Sequence, residues 1–208
     1  IEVFDEPYEN GVAAKKVVFH VEERPRIKVV NYQGSKKVEV TKIEEALKER
    51  AIEVRLDSFV DTATIRRVKG VISELYSEKG YTYARIDTAL KPLPEGPKLV
   101  ELTFNIDEGP KAQIREVVFD GNKAFSDGKL RGQLKENKPK SWLPFITSAG
   151  TYQESKFADD AQAVEEYYGN KGFARARIGQ PQLETIEDEK DGRARWIRVR
   201  VPVDEGVE

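Results

Sequence analysis

Tyr167-Tyr168-Gly169-Asn170-Lys171-Gly172-Phe173-Ala174-Arg175-Ala176-Arg177-Ile178 reads as the end of an amphipathic helix, a glycine stop, and a strand that leaves at once. The stretch occurs twice. Leu75-Tyr76-Ser77-Glu78-Lys79-Gly80-Tyr81-Thr82-Tyr83-Ala84-Arg85-Ile86 carries the same Tyr, Gly, aromatic, Ala, Arg and Ile, and Tyr76, Gly80 and Ile86 each lie 92 positions before Tyr168, Gly172 and Ile178. A match at fixed offset across whole elements marks a chain of repeated modules.

Working outward, each copy continues into a hairpin. In the earlier one, Ala84, Ile86 and Leu90 lead to Pro94-Glu95-Gly96-Pro97, after which Val100, Leu102, Phe104 and Ile106 alternate with polar residues, the period of a half-buried strand. In the later one, Ala176 and Ile178 lead to a long acidic turn around Asp191-Gly192, then Ile197, Val199, Val201 and Val203 alternate. The endings match: Ile106-Asp107-Glu108-Gly109 and Val203-Asp204-Glu205-Gly206. A third hairpin opens the chain, from Ile1, Val3 and Phe4 through the turn signal Asn10-Gly11 to Val17, Phe19 and Val21, and closes on Val21-Glu22-Glu23-Arg24.

After each closing comes another strand and a glycine: Ile27, Val29 and Val30 before Tyr32-Gln33-Gly34, and Ile114, Val117 and Val118 before Phe119-Asp120-Gly121. Two helices follow. Thr41 to Arg50 carries Ile43, Ala46 and Leu47, and Asp61 to Lys79 carries Ile65, Val68, Ile72, Leu75 and Tyr76 on one stripe. In the later unit, Ser126 is placed to cap a helix bearing Leu130 and Leu134, with Phe125 as a hydrophobic staple. The partner helix carries Phe157, Ala161, Val164, Tyr167 and Tyr168. The extra residues of the later unit fall mainly in a loop over Asn137 to Tyr152 that contains Trp142, Pro144 and Phe145. The expected fold is α+β: tandem β-α-α-β-β modules, each a three-stranded mixed sheet covered on one face by two helices. The expected boundaries are 1–24 for the closing hairpin of a truncated module, then 25–109 and 110–208 for complete ones. Pro25 and Pro110 should make the junctions at Glu23-Arg24-Pro25 and Glu108-Gly109-Pro110 short and stiff.

Composition narrows the function. The 208 residues are 38% hydrophobic and 35% charged, with a formal charge of −2, which speaks against a dedicated nucleic-acid binder. No apolar run approaches the ~18 residues that cross a bilayer as a helix. Without a single Met, the sequence is expected to be part of a longer precursor. The absence of Cys removes disulfides and thiol catalysis. There is no nucleophile elbow, phosphate-cradling glycine loop or histidine pair, so no enzyme is expected. His20 alternates with apolar residues and has no neighbouring ligand cluster, so neither metal nor cofactor is expected.

The pattern of aromatic-x-Gly after the first strand (Tyr32, Gly34; Phe119, Gly121), Tyr-x-x-x-Gly-aromatic before the second, and apolar-Asp-Glu-Gly closing the third resembles the POTRA (polypeptide-transport-associated) repeat over essentially the whole chain. Trp142, Tyr152-Gln153, Lys156-Phe157-Ala158-Asp159-Asp160 and Tyr167-Tyr168 look like the BamA-type branch, whose members assemble outer-membrane β-barrels. The resemblance implies a periplasmic scaffold preceding a C-terminal membrane barrel. Its expected partners are unfolded outer-membrane proteins and periplasmic lipoprotein accessory subunits, received by strand addition. A two-partner-type secretion transporter recognising one exported substrate is the alternative.

A sheet with helices on one face leaves a strand edge with free amides and carbonyls, and an extended segment can pair with it. In the family this is the strand after the second helix, which here means Ala84 to Leu90 and the stretch Ala174, Arg175, Ala176, Arg177, Ile178, Gly179 and Gln180. Arginine on such an edge also discourages self-association. Trp142 and Phe145 are a secondary docking candidate, or a satellite cluster beneath their loop. Gly34, Gly80, Gly121, Gly172, Tyr76 and Tyr168 are expected to be structural. Asp159-Asp160 and Glu165-Glu166 are expected to lie on solvated helix faces. Arg193, Arg195, Arg198 and Arg200 are expected to balance the acidic arm Glu184 to Asp191.

Overall fold

The computed structural model describes residues 2–7, 13–19, 24–94, 96, 98–139 and 150–206. Strands β1 (Glu2–Pro7) and β2 (Ala13–Val18) pair antiparallel, with Glu2 opposite Val18 and Pro7 opposite Ala13. The Asn10-Gly11 turn, His20 and the closing Val21-Glu22-Glu23 lie outside the described residues.

The next unit runs β3 (Arg26–Gln33), α1 (Val40–Glu49), α2 (Thr62–Glu78), β4 (Arg85–Pro92) and β5 (Leu99–Asp107). Its sheet has the order β3-β5-β4, with β3 parallel and β4 antiparallel to β5. A parallel neighbour cannot be reached by a tight turn, and the two helices supply the crossover. Asp61 starts α2 by accepting the amides of Ala63 and Thr64 at 3.0 and 3.1 Å. On β5, Val100, Leu102, Phe104 and Ile106 are buried in strict alternation. That face forms one core with Ile43 and Leu47 of α1 and Ile65, Val68, Ile72 and Tyr76 of α2.

The last unit repeats the plan with β6 (Lys111–Asp120), α3 (Asp127–Arg131), α4 (Phe157–Gly169), β7 (Arg177–Ile178), β8 (Gln182–Asp188) and β9 (Ala194–Asp204). β6 lies parallel to β9, and β7 and β8 both pair antiparallel with β9 on its other side. The core again gathers alternate residues of the central strand, here Ile197, Val199, Val201 and Val203, beneath Leu130, Phe157, Val164 and Tyr168.

Four local expectations are corrected. The stretch Ala174–Gln180 is regular strand only at Arg177–Ile178; it breaks at Gly179-Gln180-Pro181 and resumes as β8. Pro181 has no amide to continue the ladder. Ser126 occupies the N-cap of α3 without capping through its side chain, and the helix stops at Arg131, short of Leu134. Phe125 packs edge-on against Tyr167, Tyr168 and Phe173, at centroid distances of 5.1, 5.0 and 5.6 Å. Asp160 is fully buried rather than solvated. It accepts the amides of Lys135, Glu136 and Asn137, and Asn137 in turn bonds both backbone groups of Gln153. This clamp holds the two ends of the long loop together; Trp142 and Phe145 lie outside the described residues.

The two units touch. The Ala112 amide donates to the Gly80 carbonyl at 2.8 Å, and Thr151 bridges to Gln113 while its methyl occupies the space where Gly80 lacks a side chain. The Arg195 guanidinium lies 4.5 Å from the Tyr83 ring, and Tyr83 packs on the later core.

Candidate protein-interaction site

The recurring motifs converge at one place in each unit. Helix α2 ends with Gly80 at φ 85°, where the Tyr81 amide reaches back to the Tyr76 carbonyl and the Gly80 amide to Ser77. Gly172, at φ 98°, repeats this with Phe173 to Tyr168 and Gly172 to Gly169. The closed helix end turns the tyrosine inward. The Tyr76 phenol meets Glu108 Oε1 at 2.8 Å and Ser35 Oγ at 2.9 Å, and that same carboxylate oxygen accepts the amides of Lys36 and Lys37. In the later unit the Tyr168 phenol donates to Glu205 Oε1 at 2.9 Å, which also accepts the Ala124 amide. A Cβ on Gly34 would overlap the Ile106 carbonyl oxygen, and one on Gly121 that of Val203. The glycine, tyrosine and closing glutamate are therefore three parts of one lock on the turn after the first strand. The sequence showed their recurrence; that they touch is a property of the fold.

Electrostatics follow from this lock. Burial pushes the Tyr76 hydroxyl up to about 12, with Glu108 adding to it. Burial and Glu205 also hold Tyr168 well above the ordinary phenol value. Burial alone would raise Glu108, but the Lys37 and Lys36 amides and the Tyr76 phenol outweigh it and hold the carboxyl below its ordinary value. Each phenol and carboxylate is engaged within its own unit.

The sheet edges are what remains available. β4 pairs with β5 over its full length and exposes most of its side chains, including Leu90 at 45%. Beside it, Val60, Ile65, Arg66, Lys69, Thr88 and Leu90 line a groove of about 620 Å³. In the later unit, Tyr152, Phe157, Ala161, Ile178, Pro181 and Leu183 contribute to a groove of about 540 Å³ beside β7 and β8. Here one amide is already used: Ile178 donates outward to Glu165 at 2.9 Å, while Gly179 donates inward to the Pro202 carbonyl. The position matching Glu165 in α2 is Ser73, too short to span the same gap. Of the other residues in the expected stretch, Ala176 is buried, Arg177 donates to the Ala176 carbonyl, and Arg175 packs against Gly206. The acidic side chains of β8 are tied across the sheet face: Glu184 to Arg198 and Arg200, Glu187 to Arg115, and Asp188 to Arg195.

The two units share one β-α-α-β-β plan with matched locks, and no cluster of groups able to hold a metal ion lies among the described residues. A family model described as POTRA, surface antigen variable number repeat, matches residues 25–109 and 112–206, and the chain belongs to this family. It is 27% identical over 199 residues to the outer membrane protein assembly factor BamA of Neisseria meningitidis serogroup B, covering 91% of this chain and 24% of that protein. It is 28% identical over 192 residues to a putative outer membrane protein assembly factor of Treponema pallidum, covering 90% and 21%. The chain thus spans about a quarter of the length of these relatives. Among solved structures, POTRA3-5 of Haemophilus influenzae BamA superposes with a TM-score of 0.52 at 16% identity, covering 98% of this chain and 70% of that one. At that identity the likeness speaks to the fold.

Proposed function

We propose that these modules form the periplasmic part of an outer-membrane β-barrel assembly factor. In this reading they receive extended segments of unfolded barrel proteins by strand addition, and present surfaces to lipoprotein subunits and to a barrel in the same polypeptide. The observation that carries the reading is the pairing of β4 on one side only, next to an apolar groove. Main-chain bonding gives affinity with little demand on side-chain sequence, which suits a receptor for many clients. The edge over residues 174–180 joins in once Glu165 withdraws from Ile178.

The outward amides of β4 follow from the repeat: Ile178 faces out, so Ile86 and, at alternate positions, Thr88 and Leu90 do too. The test is an NMR titration of the whole chain with a peptide from the terminal strand of an outer-membrane barrel. Shifts on residues 85–92 that vanish in Thr88→Pro and survive Arg85→Ala support the reading. Shifts that ignore the proline, or none at millimolar peptide, reject it. Affinity should be micromolar or weaker, because the segment loses its own freedom on docking.

A further inference from the structure

The opposite edge of the earlier sheet carries a second, differently built slot. Residues 57–60 pair with the first part of β3: Asp57 donates to the Ile27 carbonyl, Ile27 to Ser58 and Val60 to Pro25. Beyond this point the two chains diverge like a fork. On one arm, residues 28–33 pair with β5 alone. On the other, Ile52-Glu53-Val54-Arg55-Leu56 runs without helix or strand pairing, and Ile52 and Val54 are more enclosed than their charged neighbours. Between the arms is a groove of about 880 Å³ whose apolar lining includes Val29, Leu47, Val54 and Leu56, with Glu44 and Glu53 set among Lys28, Lys48 and Arg55. Val29 and Leu56 are 38% and 58% exposed, large apolar side chains left in water.

Two further observations single out this slot. Ala51 and Asp57, at the two ends of the 52–56 arm, hold φ of 52° and 58°, a left-handed conformation that non-glycine residues occupy at a cost. Ala51 ends α1 with the same bonding that Gly80 gives α2: Ile52 reaches back to Leu47, and Ala51 to Lys48. The arm is thus bounded at both ends by residues in the left-handed region, one closing α1 and the other bonded to β3.

The second observation comes from the repeat. In the later unit the outward carbonyl of Val117 is taken by Arg131 Nη1 at 3.2 Å. Val117 matches Val30 and Arg131 matches Glu44, as Ile114 matches Ile27 and Leu134 matches Leu47. Glu44 cannot donate to Val30, so that carbonyl faces the groove with a carboxylate beside it instead of a guanidinium. Glu44 lines the groove and its charge acts on Tyr32.

We infer that the slot between β3 and residues 52–56 receives an extended segment of another polypeptide, with apolar side chains at alternate positions and a Lys or Arg opposite Glu44. The segment adds to β3 through the outward groups of Val30 and Tyr32, sets its apolar side chains among Val29, Val54 and Leu56, and brings beside Glu44 the cationic donor that Arg131 supplies in the copy. This inference rests on the chain being an interaction module but uses a different edge from the one proposed above.

The experiment titrates the isotope-labelled whole chain with a blocked peptide of about nine residues, in which Val and Thr alternate around one central Lys. Shifts should cluster on residues 28–33 and 51–56. Glu44→Arg, which gives this unit the donor of its copy, should weaken binding about tenfold. Val30→Pro should abolish it, with unchanged Val68 and Ile106 resonances confirming an intact core. Shifts confined to residues 85–92 or 182–188 overturn this slot and leave the wider reading standing. Concentration-dependent shifts on 28–33 without peptide identify a second copy as the occupant and overturn the proposal. Binding indifferent to both substitutions, or no shift at all, also overturns it, while the terminal-strand titration tests the other edge independently.

Discussion

The Tyr76 phenol and the Glu108 carboxylate stand 2.8 Å apart, and the same pair recurs as Tyr168 and Glu205 at 2.9 Å. A bond to a carboxylate in a protected site contributes about 1.5–3 kcal/mol. Tyr76→Phe should lower the stability of the earlier unit by about that amount, and Tyr168→Phe should do the same in the later unit. Chemical denaturation followed by unit-specific NMR probes checks both; a change below about 0.5 kcal/mol would remove the lock from the account.

The lock also sets a pH dependence. Glu108 is held below its ordinary value of 4.5, so its contribution is present above that pH and is lost as pH falls through the lower folded value. Tyr76 is raised from 10.0 to about 12, so its contribution is present below pH 10.0 and declines as pH rises toward 12. Denaturation midpoints from pH 3 to 11 should fall at both ends, and Glu108→Gln should flatten the acidic limb of the earlier unit.

Two glycines with the same sign of φ should respond differently to alanine. Around Gly172 there is open space, so Gly172→Ala carries only left-handed strain, about 1–2 kcal/mol. Gly121→Ala adds a clash with the Val203 backbone oxygen and should destabilise the later unit by clearly more than that. Equal costs in thermal denaturation would show that backbone conformation alone matters at both positions.

Asp160→Ala leaves the amides of Lys135, Glu136 and Asn137 without their acceptor; of the three residues only Asn137 is buried, and an unmet buried group costs about 1–3 kcal/mol. The later unit should lose about 1–3 kcal/mol. Hydrogen exchange at those three amides should accelerate most.

Glu165→Ala should expose the Ile178 amide. Its hydrogen exchange should speed up relative to that of Gly179, which donates inward to Pro202. Unaltered exchange at Ile178 would mean that Glu165 does not guard the edge.

The order of elements was legible because the apolar spacing changes from 3.6 to 2 at the glycines, and because every element appears twice. What was not legible depended on contacts across the chain. Asp160 looks like any acid on a helix until Lys135, Glu136 and Asn137 are folded onto it. Glu165, one turn further along, gives no local sign that it reaches Ile178. The edge over 174–180 was read as continuous because Ala, Arg and Ile alternate there; the break comes from Pro181, just past the matched stretch. The contrast between Arg131 and Glu44 was present in the aligned repeats, and acquires meaning only once Val117 is seen to be the acceptor.

Gly80 ends a helix in one unit and accepts the Ala112 amide of the next, with Thr151 filling the space a side chain would take. Mechanically, this makes the junction a beam joint instead of a swivel. A bending load between the units falls on a hydrogen bond, a close-packed methyl and the Arg195–Tyr83 stack at once, and the same residue that would have to yield is the one that closes α2. Turning one unit against the other therefore has to break a bond at the residue that closes a helix.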